Sequence, residues 1–187
     1  MPKISEERKA ERRAQIVAGA RRCFAREGYE GATVARLEHA IGLSRGAIFN
    51  YFESKADLFL AVVEETSLEY TEIWLDRGFR VLLDEIVQAD ADWLAVQLEA
   101  IRHFRTDEEF KRSAEEHDRR LAESRPQRLE RLGAQSLRDD VPLETIGIFL
   151  GLVANGLALR VTVDDPVPDL DQLYELVQTG VGPRSPR

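Results

Sequence analysis

Cysteine and histidine are scarce in this chain of 187 residues, and each scarcity excludes a kind of site. One cysteine, Cys23, excludes an internal disulfide and cannot bind a metal alone. Its place beside Phe24 in an apolar helical stripe favours a buried structural thiol over a redox sensor. The spacing of the three histidines, His39, His103 and His117, matches no metal-ligand pattern. Whether the protein binds a metal is therefore unknown from the sequence. The sequence contains neither a nucleophile-base constellation nor a phosphate loop and therefore indicates no enzyme.

Long apolar runs are also missing. The first 17 residues hold no apolar core of signal-peptide length. No uninterrupted apolar run approaches the roughly 18 residues that a membrane-spanning helix requires. We therefore expect a cytoplasmic protein without a membrane partner.

Charge is distributed unevenly along the chain, although 43% hydrophobic and 32% charged residues are ordinary for a globular protein. Residues 1–60 carry 11 Lys/Arg against 8 Asp/Glu, whereas residues 61–187 carry 15 against 26. A basic N-terminal part can neutralise phosphates while an acidic remainder stays in solvent, which would orient the molecule on DNA. Without a DNA-binding motif, the same asymmetry would be read as solvated surface.

The stretch of residues 33–52 supplies such a motif. Val34, Leu37 and Ile41 recur at helical spacing and predict a helix with one buried face. Gly42 follows where a short turn between two helices is expected. Ser44 is a strong N-cap candidate and predicts that the next helix begins there. The pattern predicts a helix-turn-helix.

The second helix of this motif has the side chains needed to read DNA. Arg45, Gly46 and Ala47 form its first turn, and the small residues allow close approach to the major groove. Arg45 can bond guanine in bidentate fashion, and Asn50 can bond an adenine edge or a phosphate. Tyr51 can reach a phosphate oxygen.

Apolar residues on the opposite side of the same segment would pin it to the domain, namely Ile48, Phe49 and Phe52. Ser54 is predicted to cap the next helix, with Asp57 in its first turn. Lys55 lies at that helix N-terminus, beside amides that favour phosphate.

The run ARRCFAREGYEGATVARLEHAIGLSRGAIFNYFESKADLFLAV closely resembles the DNA-binding region of the TetR family of bacterial transcriptional regulators. The resemblance implies an all-α fold, with a helix-turn-helix domain at residues 1–53 and a helical regulatory and dimerisation domain at residues 54–187. A helix from Ser54 would link the two, and residues 182–187 would be disordered, as would residues 1–5. The predicted DNA-binding residues are Thr33, Arg36, Ser44, Arg45, Gly46, Ala47, Asn50, Tyr51 and Lys55.

The second domain is predicted to consist of helices over residues 79–87, 91–104, 142–163 and 168–181, and of a helix that a capping box at residues 106–109 starts and that extends to Glu123. The helix of residues 142–163 is apolar nearly all round, and Gly147 and Gly151 would provide a smooth face for close helix contact. With the final helix it would form a four-helix bundle across two subunits. The alternative is that both helices form the core of one subunit.

A narrower resemblance concerns the stretches VQLEAIRHFRTDEEF and RDDVPLE, which are similar to the aconitase-repressor branch of TetR regulators. This resemblance implies citrate, held with a divalent cation such as Mg²⁺, as the effector. Arg128 falls at the position of that branch's ligand-binding arginine. Gln178 falls where the branch has a metal-holding carboxylate, and an amide is a weaker ligand for a hard cation. Further candidates for a ligand pocket are Arg102, Asn155 and Arg160.

Together these features predict a dimeric, ligand-responsive repressor that binds a palindromic operator in double-stranded DNA. The branch resemblance adds control of aconitase or central carbon metabolism in response to a carboxylate. The alternative is a DNA-bound dimer regulated by a protein partner instead of a small molecule. An enclosed polar cavity would favour the first, and an exposed apolar patch the second.

Overall fold

The computed structural model describes residues 6–133 and 137–183, without the side chains of residues 99 and 100. Its helices are α1 (Glu6–Gly31), α2 (Val34–Ile41), α3 (Arg45–Ile48), α4 (Lys55–Arg77), α5 (Phe79–Val87), α6 (Ala91–Ala100), α7 (His103–Thr106), α8 (Glu108–Glu123), α9 (Arg125–Gly133), α10 (Leu143–Thr162) and α11 (Leu170–Val181). The described residues contain no strand, and the predicted all-α fold is confirmed. The segments 1–5 and 184–187, predicted to be disordered, lie outside the described residues.

Most helices lie where the sequence pattern predicts them, but α9 was not predicted, and the boundaries differ near residues 100 and 107. The predicted helix of residues 91–104 divides into α6 and α7, because the Ile101 amide bonds the Leu98 carbonyl three residues back at 3.1 Å. The cap of α8 is Asp107 and not Thr106, the first residue of the predicted capping box: Asp107 Oδ1 accepts from the amides of Glu109 and Phe110 at 2.9 and 3.1 Å, and the Thr106 hydroxyl donates to the Arg102 carbonyl at 3.1 Å. This cap fixes the start of α8.

The residues form two compact units that interleave along the chain. Within the described ranges, the first unit comprises residues 6–66 and 92–118, and the second comprises residues 67–91 and 119–183. The unit with the helix-turn-helix thus includes residues 54–66 and 92–118, which the sequence division assigns to the second domain.

Aromatic packing explains why residues 92–118 belong to the first unit. Phe24, Phe59, Trp93 and Phe110 are at most 1% exposed. The ring centroids of Phe24 and Phe59 are 5.1 Å apart, and those of Phe59 and Phe110 are 6.0 Å apart. Burying such a side chain stabilises a fold by roughly 1.5–3 kcal/mol. The helix-turn-helix therefore rests on a core that α6 and α8 complete.

The second unit is built on α5, α10 and α11. Its buried residues include Leu83, Ile86, Leu150, Leu157 and Val177. Arg131 on α9 bonds Glu72 at 2.8 Å and Asp76 at 2.7 Å, both on α4. These bonds raise the pKa of Arg131, the hydrogen bond to Glu72 contributing most. The apolar core and this exposed network hold the second unit together.

Candidate nucleic-acid interface

The first two helices of the first unit pack in close contact because α1 has no side chain at Gly19. A Cβ atom there would lie 2.9 Å from the Ile41 Cα atom, closer than packed atoms approach. Ile41 ends α2, and Gly42 follows with φ 76°, a left-handed conformation that favours glycine. Its amide bonds the Glu38 carbonyl at 2.8 Å. The predicted turn between the two helices is confirmed.

Ser44 then starts α3 as predicted. Its hydroxyl accepts from the Ala47 amide at 3.4 Å, and its backbone is extended, as an N-cap requires. α3 ends at Ile48, but the helical bond from the Asn50 amide to the Gly46 carbonyl persists at 3.1 Å. We call residues 45–52 the recognition segment.

The recognition segment has one buried and one exposed side. Ile48 is fully buried and Phe52 is 3% exposed, whereas Arg45, Gly46 and Asn50 are exposed. Space within 4 Å of a Cβ atom at Gly46 is open. The apolar residues thus fix the segment to the core, and its polar residues face solvent.

Arg45 is fixed at its backbone and exposed at its side chain. Its amide donates to Oε1 of Glu38 at 2.6 Å, and its guanidinium lies 6.0 Å from the centre of the Phe49 ring. Because the Glu38 carboxylate bonds the backbone, it sets the start of α3 without occupying the guanidinium. This arrangement leaves the five N–H donors of Arg45 available for an acceptor such as guanine.

Lys55 is half-buried against Tyr29. The Lys55 Nζ atom donates to the Tyr29 carbonyl at 2.9 Å and lies 4.3 Å from the centre of the Tyr29 ring. Burial, followed by the charges of Asp107, Glu30 and Glu109, raises the pKa of Tyr29 well above its usual range. Lys55 thus anchors the start of α4 to the end of α1.

The remaining predicted DNA-binding residues serve mainly as caps and braces. Thr33 is exposed and caps α2, accepting from the Arg36 amide at 3.4 Å. Arg36 donates to the Gly31 carbonyl at 2.8 Å and pairs with Glu27 at 3.0 Å. The pKa of Glu27 is lowered, first by its hydrogen bond from Arg26 and also by the charge of Arg36. Tyr51 and Ala47 are half-buried in the same unit.

Arg13 lies outside the motif, and the sequence predicts it, together with Lys9 and Arg12, as a phosphate contact at the outer end of the first helix. Its guanidinium lies 5.3 Å from the centre of the Phe52 ring, which places it beside the end of the recognition segment. It is exposed on α1. The basic character of α1 was the only sequence signal, because the contact joins residues 39 positions apart along the chain.

The candidate ligand-binding residues are divided between the two units. Arg102 is exposed in the first unit, and the other four lie in the second. Arg128 donates to the Ser124 hydroxyl at 3.0 Å and to the Leu121 carbonyl at 2.9 Å. Gln178 is exposed on α11. Arg160 donates to the Pro166 carbonyl at 3.0 Å and pairs with Asp165 at 3.5 Å.

The second unit contains a cavity of about 270 Å³ between α4, α5 and α10. Its polar lining comprises Ser67, Tyr70, Thr71 and Asn155, and apolar residues of all three helices complete it. A larger, mainly apolar groove of about 570 Å³ runs along the end of α10 and includes Arg160 and Asp165. Of the five candidates, Asn155 lines the cavity and Arg160 lines the groove; the other three line neither.

The face of α10 that carries the two glycines differs from the face that carries its exposed apolar side chains. Gly147 and Gly151 both line the cavity, and a Cβ atom at Gly147 would lie 3.9 Å from the Leu132 side chain of α9. The exposed apolar side chains of α10 lie elsewhere, with Ile148 60% and Leu152 66% exposed. The glycine-lined contact between subunits stays a prediction, and the exposed apolar side chains offer a second face for such a contact. Sequence could not separate the faces, because both are apolar.

The recognition segment is exposed on one side and buried on its apolar side, and the predicted caps fix its start. This arrangement is typical of a helix-turn-helix regulator. Residues 16–62 match the family described as "Bacterial regulatory proteins, tetR family", and residues 73–182 match "BetI-type transcriptional repressor, C-terminal". The chain belongs to the TetR family of bacterial regulatory proteins. The prediction of a DNA-binding regulator, not an enzyme, is confirmed by this membership.

Similar proteins cover the whole chain. The chain is 39% identical to the HTH-type transcriptional repressor AcnR of Corynebacterium diphtheriae over 100% of both chains. It is 42% identical to an HTH-type transcriptional repressor of Mycobacterium tuberculosis, covering 97% of this chain and 98% of that one. A crystal structure of a TetR-family regulator from Mesorhizobium loti is 16% identical, with a TM-score of 0.62, and covers 94% and 98% of the two chains. That likeness supports the fold.

Proposed function

We propose that the protein is a dimeric repressor whose two recognition segments bind the half-sites of a palindromic operator. The observation that carries this proposal is the exposed Arg45 and Asn50 on a segment whose other side is buried. A two-fold dimer presents two such segments in opposite directions, which matches a palindrome with half-sites about 34 Å apart or a multiple of it. Repression is supported by the similarity to repressors along the full chain.

The exposed apolar stripe of α10 and α11 supports the dimer. Ile148, Leu152 and Leu159 are 48–66% exposed on α10, and Leu176 is 72% exposed on α11. Such a stripe exceeds the scattered apolar residues normal for a monomer surface. A second copy of the same stripe would cover it by two-fold symmetry.

A membrane is the other environment that could cover α10. Among the described residues, α10 alone is long and apolar enough to cross one, with a mean hydropathy of 1.6 and 17% of its apolar window buried. However, Ile146, Leu150 and Leu157 of this helix lie in the core of the second unit. Asn155 and Arg160 would also lie at membrane depth. These features favour a second subunit, and we propose a cytoplasmic location.

We further propose that a small molecule occupies the cavity between α4, α5 and α10 and weakens operator binding. Binding there must favour a conformation whose recognition segments no longer match the half-sites, since equal affinity for both conformations shifts nothing. The hydroxyl and amide groups of Ser67, Thr71 and Asn155 supply hydrogen bonds. No charged side chain is among the residues that line this cavity.

A carboxylate effector and control of aconitase genes remain a narrower proposal, supported by similarity to repressors named AcnR. Arg128 would be the cation for a carboxylate, and it would have to exchange its bonds to Ser124 and Leu121. Within residues 6–133 and 137–183, no three His, Cys, Asp or Glu side chains cluster as a metal site. Gln178 offers an amide in place of a carboxylate, which is a weaker ligand for Mg²⁺, and we derive no step through the ion.

Regulation by a protein partner is the second candidate. Leu98, Ile101 and Phe104 are 38%, 53% and 42% exposed in the first unit. This apolar patch could receive a partner without any ligand. A response of the purified dimer to a small molecule would favour the first candidate.

The test begins with a duplex that the wild-type protein selects from a randomised pool. Sedimentation should show a dimer, and the selected sequence should be palindromic.

Calorimetry then measures the binding of citrate and isocitrate, each with and without Mg²⁺, to the wild type and to Arg128→Ala. Binding lost in Arg128→Ala supports the carboxylate proposal, and absence of binding in all arms overturns it. A selected sequence without two-fold symmetry would overturn the dimeric operator.

A further inference from the structure

His117 occupies a buried position between two carboxylates of the first unit. This α8 side chain is 4% exposed. Its Nδ1 lies 2.6 Å from Oε2 of Glu64, and its Nε2 lies 3.0 Å from Oδ1 of Asp57. Both carboxylates belong to α4 and are 18% exposed. The DNA-binding role derived from the helix-turn-helix does not use this cluster.

With Asp57 and Glu64 both ionised, the two bonds require a donor at each ring nitrogen of His117. A carboxylate accepts hydrogen bonds and cannot donate them, whereas a neutral imidazole has one donor and one acceptor. A neutral ring would therefore direct a lone pair at one of the two carboxylates. Because the ring is buried, a lost bond here is more costly than at the surface.

Asp57 connects this cluster to the recognition segment. Its Oδ2 accepts from the Glu53 amide at 2.9 Å, and its own amide donates to the Ser54 hydroxyl at 3.1 Å. Glu53 directly follows Phe52, the last residue of the recognition segment. One oxygen of Asp57 thus holds the end of the segment, while the other is held by His117. Glu64, in contrast, lies further along α4, away from Glu53 in the sequence.

We propose that His117 is a positioning residue for operator reading. By fixing the orientation of the Asp57 carboxylate, it fixes the Glu53 amide and with it the angle of the recognition segment. The inference rests on the proposed function, in which this segment reads the operator. It assigns to α8 a role in DNA recognition although α8 carries no predicted DNA contact.

The two hydrogen bonds of His117, to Asp57 and to Glu64, can be tested by separate variants. His117→Leu has no hydrogen-bonding group and removes the bonds to Asp57 and Glu64, whereas Glu64→Gln weakens only the bond that does not involve Asp57. We expect His117→Leu to weaken binding of the selected operator about tenfold, equivalent to ~1.4 kcal/mol. Binding of a scrambled duplex should change by less than about twofold, because it depends on charge and not on the angle of the segment.

Glu64→Gln should lose thermal stability and change operator affinity by less than about threefold. If both variants lose operator affinity in proportion to their thermal stability, or both duplexes are weakened equally, His117 is a structural residue and the inference is overturned. If the wild type itself does not distinguish operator from scrambled duplex, the proposed function fails instead.

A second pair tests the same connection without changing His117. Asp57→Asn keeps an oxygen for the Glu53 amide and offers an N–H group to a neutral His117 ring. Asp57→Ala removes both bonds. We expect Asp57→Ala to match the operator loss of His117→Leu and Asp57→Asn to stay within about threefold of the wild type. Wild-type operator affinity in Asp57→Ala would overturn the connection.

Discussion

Lys55 holds Tyr29 by two contacts at once, a 2.9 Å hydrogen bond to its carbonyl and a 4.3 Å approach of the ammonium to its ring centre. A residue predicted to contact phosphate is thereby part of the packing between α1 and α4. A packing role predicts that loss of the Lys55 ammonium lowers protein stability, whereas a phosphate contact alone predicts unchanged stability. A stability measurement therefore separates the two roles.

Replacement of Lys55 by methionine keeps an apolar stem and removes the ammonium. We expect Lys55→Met to lower the free energy of unfolding by roughly 1–2 kcal/mol, from the lost cation–π contact and hydrogen bond. Chemical denaturation measures this. Lys9→Met, at an exposed lysine on α1, is the control and should stay within about 0.5 kcal/mol. Unchanged stability with weakened binding to every duplex would assign Lys55 to phosphate alone.

Arg45 is expected to read bases. Arg45→Ala should weaken operator binding by roughly 1–3 kcal/mol and leave a scrambled duplex less affected, because a base contact carries sequence information. Arg36→Ala is the comparison, since the Arg36 guanidinium already bonds Gly31 and Glu27. Fluorescence anisotropy on both duplexes decides the matter. Equal losses on the two duplexes for Arg45→Ala would place that arginine on the phosphate backbone.

The dimer is tested on the exposed stripe. Leu152→Glu should dissociate the dimer at micromolar concentration, because the proposed interface would bury an unpaired charge. Operator affinity should fall with it, although the recognition segment is unchanged. Leu98→Glu introduces the same charge at an exposed leucine of the first unit and should sediment like the wild type. Dimeric Leu152→Glu protein would exclude this stripe as the interface.

Two helical glycines should respond in opposite directions to alanine. At Gly151 the space within 4 Å of a Cβ atom is open, so Gly151→Ala should stabilise the protein by roughly 0.5–1 kcal/mol through helix propensity. At Gly19 the new Cβ would meet Ile41, and Gly19→Ala should destabilise by roughly 1–3 kcal/mol. Thermal and chemical denaturation measure both. If Gly151→Ala weakens the dimer instead, Gly151 lies in the contact between subunits.

Cys23 should be inert in the folded protein. It is fully buried, and desolvation raises the pKa of its thiol, with a further rise from the charge of Glu27. Since the thiolate is the reactive form, a thiol reagent should label Cys23 slowly in buffer and rapidly in denaturant. Rapid labelling under native conditions would contradict the buried structural role and support a redox sensor.

Local chemistry made the helix-turn-helix predictable. Ser44, Gly42 and Ser54 act within four residues of themselves, so their roles as caps and turn are written in short stretches of sequence. The DNA-contact roles assigned to the exposed residues remain predictions.

Contacts between distant segments were not predictable in the same way. His117 meets Asp57 across 60 positions and Lys55 meets Tyr29 across 26, and no local pattern encodes either pairing. The face of α10 that the second unit buries could not be predicted for a different reason. A helix apolar on all sides has no polar face to show which side is turned inward.

The two tryptophans of the chain lie in different units, Trp93 in the core of the first and Trp74 in the lining of the second unit's cavity. The molecule therefore carries one intrinsic fluorophore for each unit. With Trp93 replaced by phenylalanine, the remaining emission reports on the cavity, so a ligand that enters it should alter the intensity or wavelength without any attached dye. With Trp74 replaced instead, the emission reports on the unit that carries the recognition segment. Stopped-flow mixing of the two single-tryptophan proteins with a ligand would then time the response of each unit separately.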